Sequence, residues 1–175
     1  MTKRTTIGLT RVGLALAFGI AASAGLAAPP SGPEIDPREA NNIPAPQYGM
    51  PISSDLAETA LAAAKTKAEA LGFHSFTIAI TEPDGSLVLF EKVNGATYVS
   101  VQFAMAKART ASISRRPTGP GPGGSMMAPT PDLIALPGGF PIIVGDKTVG
   151  GIGISGTEGG DVAIAKAALA AIGAR

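Results

Sequence analysis

Apolar spacing along this chain switches between helical and alternating periods several times beyond residue 55. Leu56, Ala60, Leu61, Ala64, Ala68 and Leu71 recur at the helical period, with Asp55 and Glu58 at capping-box spacing before them and Gly72 after them, which predicts a helix. Phe76, Ile78 and Ile80 then alternate with Ser75, Thr77 and Ala79, the pattern of a half-buried strand. Pro83-Asp84-Gly85 supplies a turn, 87–92 returns as a second strand, and Asn94-Gly95 breaks it. A second helix is expected over 97–114, with Tyr98, Val101, Met105, Ala108 and Ser112 on one stripe and Arg115-Arg116-Pro117 as its end. Residues 133–136 read as a short extra strand. Segments 140–144 and 148–155 form a second hairpin around Gly145-Asp146-Lys147, and 161–172 is the last helix. The order is α-β-β-α-β-β-α, and two hairpins favour an antiparallel sheet with helices packed on its faces, an α/β (α+β) domain.

The first 52 residues follow other rules. Lys3, Arg4 and Arg11 precede an apolar run over 12–22 that is too short to span a bilayer, and small residues follow at 22–24 and 25–27. Basic, apolar, small is the order of a secretory signal peptide over 1–27, so a periplasmic or secreted location is expected, with no stable membrane span after processing. Residues 28–52 are proline-rich and aperiodic, which predicts a flexible arm ahead of a domain over 53–175. Export normally invites disulfides, yet the chain has no cysteine, so an apolar core must stabilise it. Loss of the three signal-peptide cations turns the formal net charge of +1 negative, which removes the main support for a nucleic-acid partner.

Gly151-Ile152-Gly153-Ile154-Ser155-Gly156 spells the dinucleotide fingerprint after a strand and before a helix. The chain then stops at Arg175, without the next strand and the acidic residue that would hold a ribose. These glycines instead predict close packing of the sheet against a helix or ligand. The segments around them carry a family resemblance. Residues 100–111, with Ser100, Ala104, Lys107, Ala108, Thr110 and Ala111, are similar to the S-x-x-x-A-x-x-K-A-x-T-A helix of the GlcG/HbpS family of haem-binding proteins. Gly138-Gly139-Phe140-Pro141 resembles its G-G-x-P turn, and 150–156 its G-x-x-G-x-S-G strand end, with Asp161 and 165–169 as the closing helix. Two polar family positions differ, at Ile80-Thr81-Glu82 and at 92–96. The resemblance implies a profilin-like fold, a symmetric homo-oligomer, and haem or a related tetrapyrrole as ligand.

Such a ligand needs an apolar slot, cations for its propionates and an axial ligand for iron. No acidic residue lies between Glu91 and Asp132, whereas Lys92, Lys107, Arg109, Arg115 and Arg116 are basic, which marks the best anion site in the chain. Arg115 and Arg116 serve equally well as cations at a helix C-terminus. Lys107 comes from the family helix, and Tyr98 heads the same helix. The axial candidates are His74 (the single histidine), Tyr98, Met126 and Met127. One histidine and no cysteine exclude a structural zinc site, and Ser155 lacks a triad partner in a recognisable order. The leading expectation is an exported tetrapyrrole-binding protein for storage, delivery or sensing, or a binder of a small anionic ligand. The alternatives are an enzyme of haem degradation or small organic acid metabolism, and a structural oligomer that meets a protein partner through its proline-rich arm.

Overall fold

The structure, a computed structural model, describes residues 45–120 and 133–175. The expected signal peptide, most of the arm and Met126-Met127 lie outside the described residues. Five strands, β1 (Gln47–Tyr48), β2 (Thr77–Thr81), β3 (Leu87–Lys92), β4 (Gly139–Val144) and β5 (Lys147–Ser155), form one sheet. Three helices, α1 (Ser54–Ala70), α2 (Tyr98–Ser114) and α3 (Asp161–Ala171), cover it. The expected order holds, with β1 added in front.

β5 is the central strand. β4 and β2 flank it antiparallel, β3 pairs antiparallel with β2, and β1 pairs parallel with the start of β5 through Gln47↔Lys147 and Tyr48↔Thr148. The extra strand is thus Gln47–Tyr48, at the end of the proline-rich segment. Residues 133–136 contribute only an isolated bridge at Leu133. Gly49 N–H and Ile52 N–H donate to the carbonyls of Thr148 and Val149 (both 2.8 Å), and Ile52 is buried, so the last residues of the arm are laid along β5. At the other side of the sheet, Ile143 and Arg175 exchange backbone hydrogen bonds (3.3 and 3.1 Å), which covers part of the outer edge of β4.

The two faces of the sheet are built differently. On one face Ile78, Ile80, Ile142, Ile152 and Ile154 meet Ala57, Ala60, Ala64 and Ala68 of α1 and Ile164, Ala165, Ala168 and Leu169 of α3, all but Leu169 at 1 % exposure or less. On the other face α2 lies almost on the backbone. A Cβ on Gly153 would collide with the Ala104 carbonyl oxygen, and one on Gly151 with that of Ala108. The fingerprint-like glycines therefore seat a helix, not a nucleotide.

This close seating explains two departures from the sequence pattern. β2 is buried on both faces, because Thr77, Ala79 and Thr81 lie under α2, with Thr77 Oγ1 2.9 Å from Ser100 Oγ. Along α2 the buried residues are Ser100, Ala104, Lys107, Ala108, Thr110, Ala111 and Ser112, so the expected stripe holds at Ala108 and Ser112, while the bulky Tyr98 and Met105 point outward. Directly over Gly151 and Gly153 sit Ala104, Ala108 and Ser112, small enough for the close approach, and Lys107 reaches past them to the end of β5. In α1, likewise, alanines face the core and Leu56 and Leu71 are exposed. That helix is capped two residues earlier than expected, by Ser53 Oγ accepting from Leu56 N–H (3.4 Å), with Asp55 in its first turn.

Candidate functional site

Lys107, the cation expected from the helix motif, is sealed inside. Its Nζ donates to Asp161 Oδ2 (2.7 Å) and to the Ile154 carbonyl (2.8 Å), and its side chain is 4 % exposed. Asp161 in turn accepts at Oδ1 from Thr157 N–H (3.2 Å) and Thr157 Oγ1 (2.5 Å). The group joins α2, β5 and the first turn of α3. A buried pair of this kind is held by its geometry, and loss of either partner leaves an uncompensated charge. Lys107 is therefore committed to the scaffold rather than directed at a ligand.

The arginines sit elsewhere. Arg115 ends α2 in the left-handed region (φ 57°, ψ 31°), a conformation that costs a non-glycine residue roughly 1–2 kcal/mol. Its guanidinium lies 4.8 Å from the Tyr48 ring centroid and donates from Nη1 to the Pro46 carbonyl (3.1 Å). Tyr48 OH donates to the Ile113 carbonyl (2.7 Å), one of the last carbonyls of α2. Arg115 Nε is buried and has no hydrogen-bond partner, an omission worth about 1–3 kcal/mol in a folded protein. Arg116 is half-buried in the following turn, its carbonyl accepting from Ser114 Oγ (3.3 Å).

Beside this corner is a cavity of about 380 Å³, lined by Tyr48, Pro83, Asp84 and Ile113. That volume falls in the range of small-molecule sites, ~300–1,000 Å³. The turn between β2 and β3 forms its floor, and the stem of exposed Arg109 crosses that turn over Gly85. Asp84 keeps its carboxyl below the usual range chiefly by accepting from Ser86 N–H (2.8 Å) and Ser86 Oγ (3.0 Å), with Arg109 a smaller influence. Arg109 thus lies against the turn that carries Asp84, and Arg115 against Tyr48, on two sides of the cavity.

The other sequence candidates do not join it. Tyr98, 86 % exposed, stands at the start of α2, about 22 Å along the helix from Ile113, with Lys92 Nζ 5.6 Å from its ring centroid. His74 is exposed ahead of β2, whereas Pro83 follows the far end of that strand. Met126 and Met127 lie outside the described residues. Sequence reasoning missed Tyr48, Asp84, Ile113 and the partner of Lys107. Tyr48 had one legible signal: an aromatic residue placed among prolines, where extended backbone is enforced.

One sheet with a single helix on its glycine face and two on its isoleucine face defines an α+β domain that recurs in solved structures. A Klebsiella pneumoniae protein, ORFY (DUF336), superimposes with a TM-score of 0.63 at 23% identity, over 73% of this chain and 94% of that one. A PduOC:heme complex gives 0.62 at 24%, over 72% and 98%. HbpS gives 0.60 at 25%, over 71% and 92%. Protein GlcG of Escherichia coli (strain K12) is 29% identical over 109 residues, 59% of this chain and 81% of GlcG. The family model described as "Haem degrading protein HbpS-like" matches residues 52–170. The chain belongs to the HbpS-like family.

Proposed function

We propose that this protein binds haem or a related tetrapyrrole at the cavity between the end of α2, the β2–β3 turn and the arm. The observation that carries the proposal is the pairing of apolar walls (Tyr48, Pro83, Ile113) with the cations Arg109 and Arg115 at one corner. Family membership adds weight, as does the shared fold with a haem-complexed protein. The residues present suit a flat ring with carboxylates: Arg115 and Arg109 would take the anionic groups, and the walls would cover part of the macrocycle. Bound haem would bring iron chemistry to this corner, and among the described residues that line the cavity Tyr48 and Asp84 carry side-chain oxygens able to ligate iron.

Titrating purified protein with hemin tests the proposal. A saturable Soret shift is expected, weakened when Arg109 and Arg115 are replaced together by alanine. A spectrum identical to that of free hemin at all ratios overturns it. We further infer from the first 27 residues that the protein is exported, and from Tyr98, Val99 and Met105 exposed on α2 that copies associate. N-terminal sequencing of protein recovered outside the cytoplasm checks the first, and light scattering the second.

A further inference from the structure

Three features meet at Arg115: a left-handed backbone on a non-glycine residue, a buried Nε without a partner, and a tyrosine ring stacked on the guanidinium. The ring comes from the arm, whose hold on the body is short. β1 pairs over two residues, and Gly49 and Ile52 add one backbone bond each. Tyr48 thus presents a flat aromatic surface to the guanidinium, while the Nε that a carboxylate would satisfy is buried without a partner.

We propose that residues 46–48 are a displaceable strap that occupies the place of a flat aromatic carboxylate ligand on Arg115. When the ligand enters, its ring replaces the Tyr48 ring on the guanidinium, its carboxylate accepts from Nε, and the Nη1 bond to the Pro46 carbonyl is released. Arg115 prefers both partners for the same reason, since guanidinium stacks on π-faces and pairs with carboxylates. This rests on the preceding proposal and refines it: Tyr48 walls the cavity only in the closed form and moves aside for the ligand, Pro83 and Ile113 stay as the apolar walls, and Arg115 Nε receives the anion.

The test uses full-length protein and a probe other than a tetrapyrrole: pyrenebutyrate, with pyrenebutanol as its uncharged counterpart, followed by pyrene fluorescence. Tyr48→Ala removes the competitor, and its affinity for pyrenebutyrate should rise about tenfold over the parent, because the binding-competent state no longer has to be opened first. Tyr48→Phe keeps the stack but loses the bond to Ile113, and should fall between. Pyrenebutanol should show no such gain. Arg115→Gly suits the left-handed position, folds, and should abolish the preference for the acid over the alcohol. Amide exchange at Gly49 and Ile52 should accelerate when saturating pyrenebutyrate is bound to the parent protein. An unchanged or weakened affinity in Tyr48→Ala, or an equal gain for the alcohol, overturns the strap. Failure of hemin alone overturns the tetrapyrrole reading and leaves this result standing; hemin binding with no gain in Tyr48→Ala does the reverse.

Discussion

Two cations eight residues apart on one helix, Lys107 and Arg115, meet opposite fates. Lys107 is locked between β5 and α3 with every visible contact internal to the scaffold, whereas Arg115 stands beside a cavity with one donor unused and a removable ring over it. A buried ammonium has strict needs, and once they are met by Asp161 and the Ile154 carbonyl little is left for a ligand. The half-satisfied arginine is the better receptor. A basic residue inside a family motif therefore need not be the one that touches the ligand.

The largest expected effect breaks the sealed end. Asp161→Ala strands the Lys107 charge and should cost about 3–5 kcal/mol in denaturant unfolding, while Lys107→Met with Asp161→Leu should recover much of it. A loss below about 1 kcal/mol for the single variant would place the pair on the exposed-ion scale and undo the contrast. Gly153→Ala comes next. Its methyl group meets the Ala104 carbonyl, and α2 must lift, at about 1–3 kcal/mol. Because that shift moves the whole helix, hemin affinity should fall with stability.

At the open end, Arg115→Gly should change stability by less than about 1 kcal/mol, since relief of the left-handed backbone offsets the lost stack and hydrogen bond. Its hemin affinity should nonetheless drop, so stability and binding separate here and move together at Gly153. The smallest effects are pH-dependent. Asp84 binds its proton more weakly in the folded state, through Ser86 first, so its contribution is in force above its ordinary value of 3.8 and drains as pH falls through the depressed one. Lys65 holds its proton more tightly through Glu91, so its contribution is in force below 10.5 and drains as pH rises through the raised value. Asp84→Asn should flatten the acid limb of a stability–pH curve, and Glu91→Gln the alkaline limb.

How far the sequence could be read depends on the range of the interaction. Both hairpins were legible because turns are local: Pro83-Asp84-Gly85 and Gly145-Asp146 write their geometry in adjacent residues. The arrangement of β2 was half legible. Its isoleucines announce one buried face, but Thr77 and Ala79 look solvent-facing until a helix from elsewhere in the chain is laid over them. The Lys107–Asp161 pair spans 54 residues and left no trace in spacing. β1 escaped notice because two residues carry no period. The arginines at the end of α2 were legible as cations, but their cavity was not, since Tyr48, Asp84 and Ile113 arrive from three separate segments.

The glycine seating of α2 has one more consequence. A helix resting on bare strand backbone is a keyed joint: it has no layer of rotatable side chains on which to rock or slide. Whatever movement this domain allows must then fall to pieces that are pinned rather than keyed, and the stretch running from Pro46 to Ile52 is such a piece. Any substitution that thickens either half of the joint would have to be answered by thinning the other, which couples the strand glycines to Ala104 and Ala108 as a single dimension of the domain.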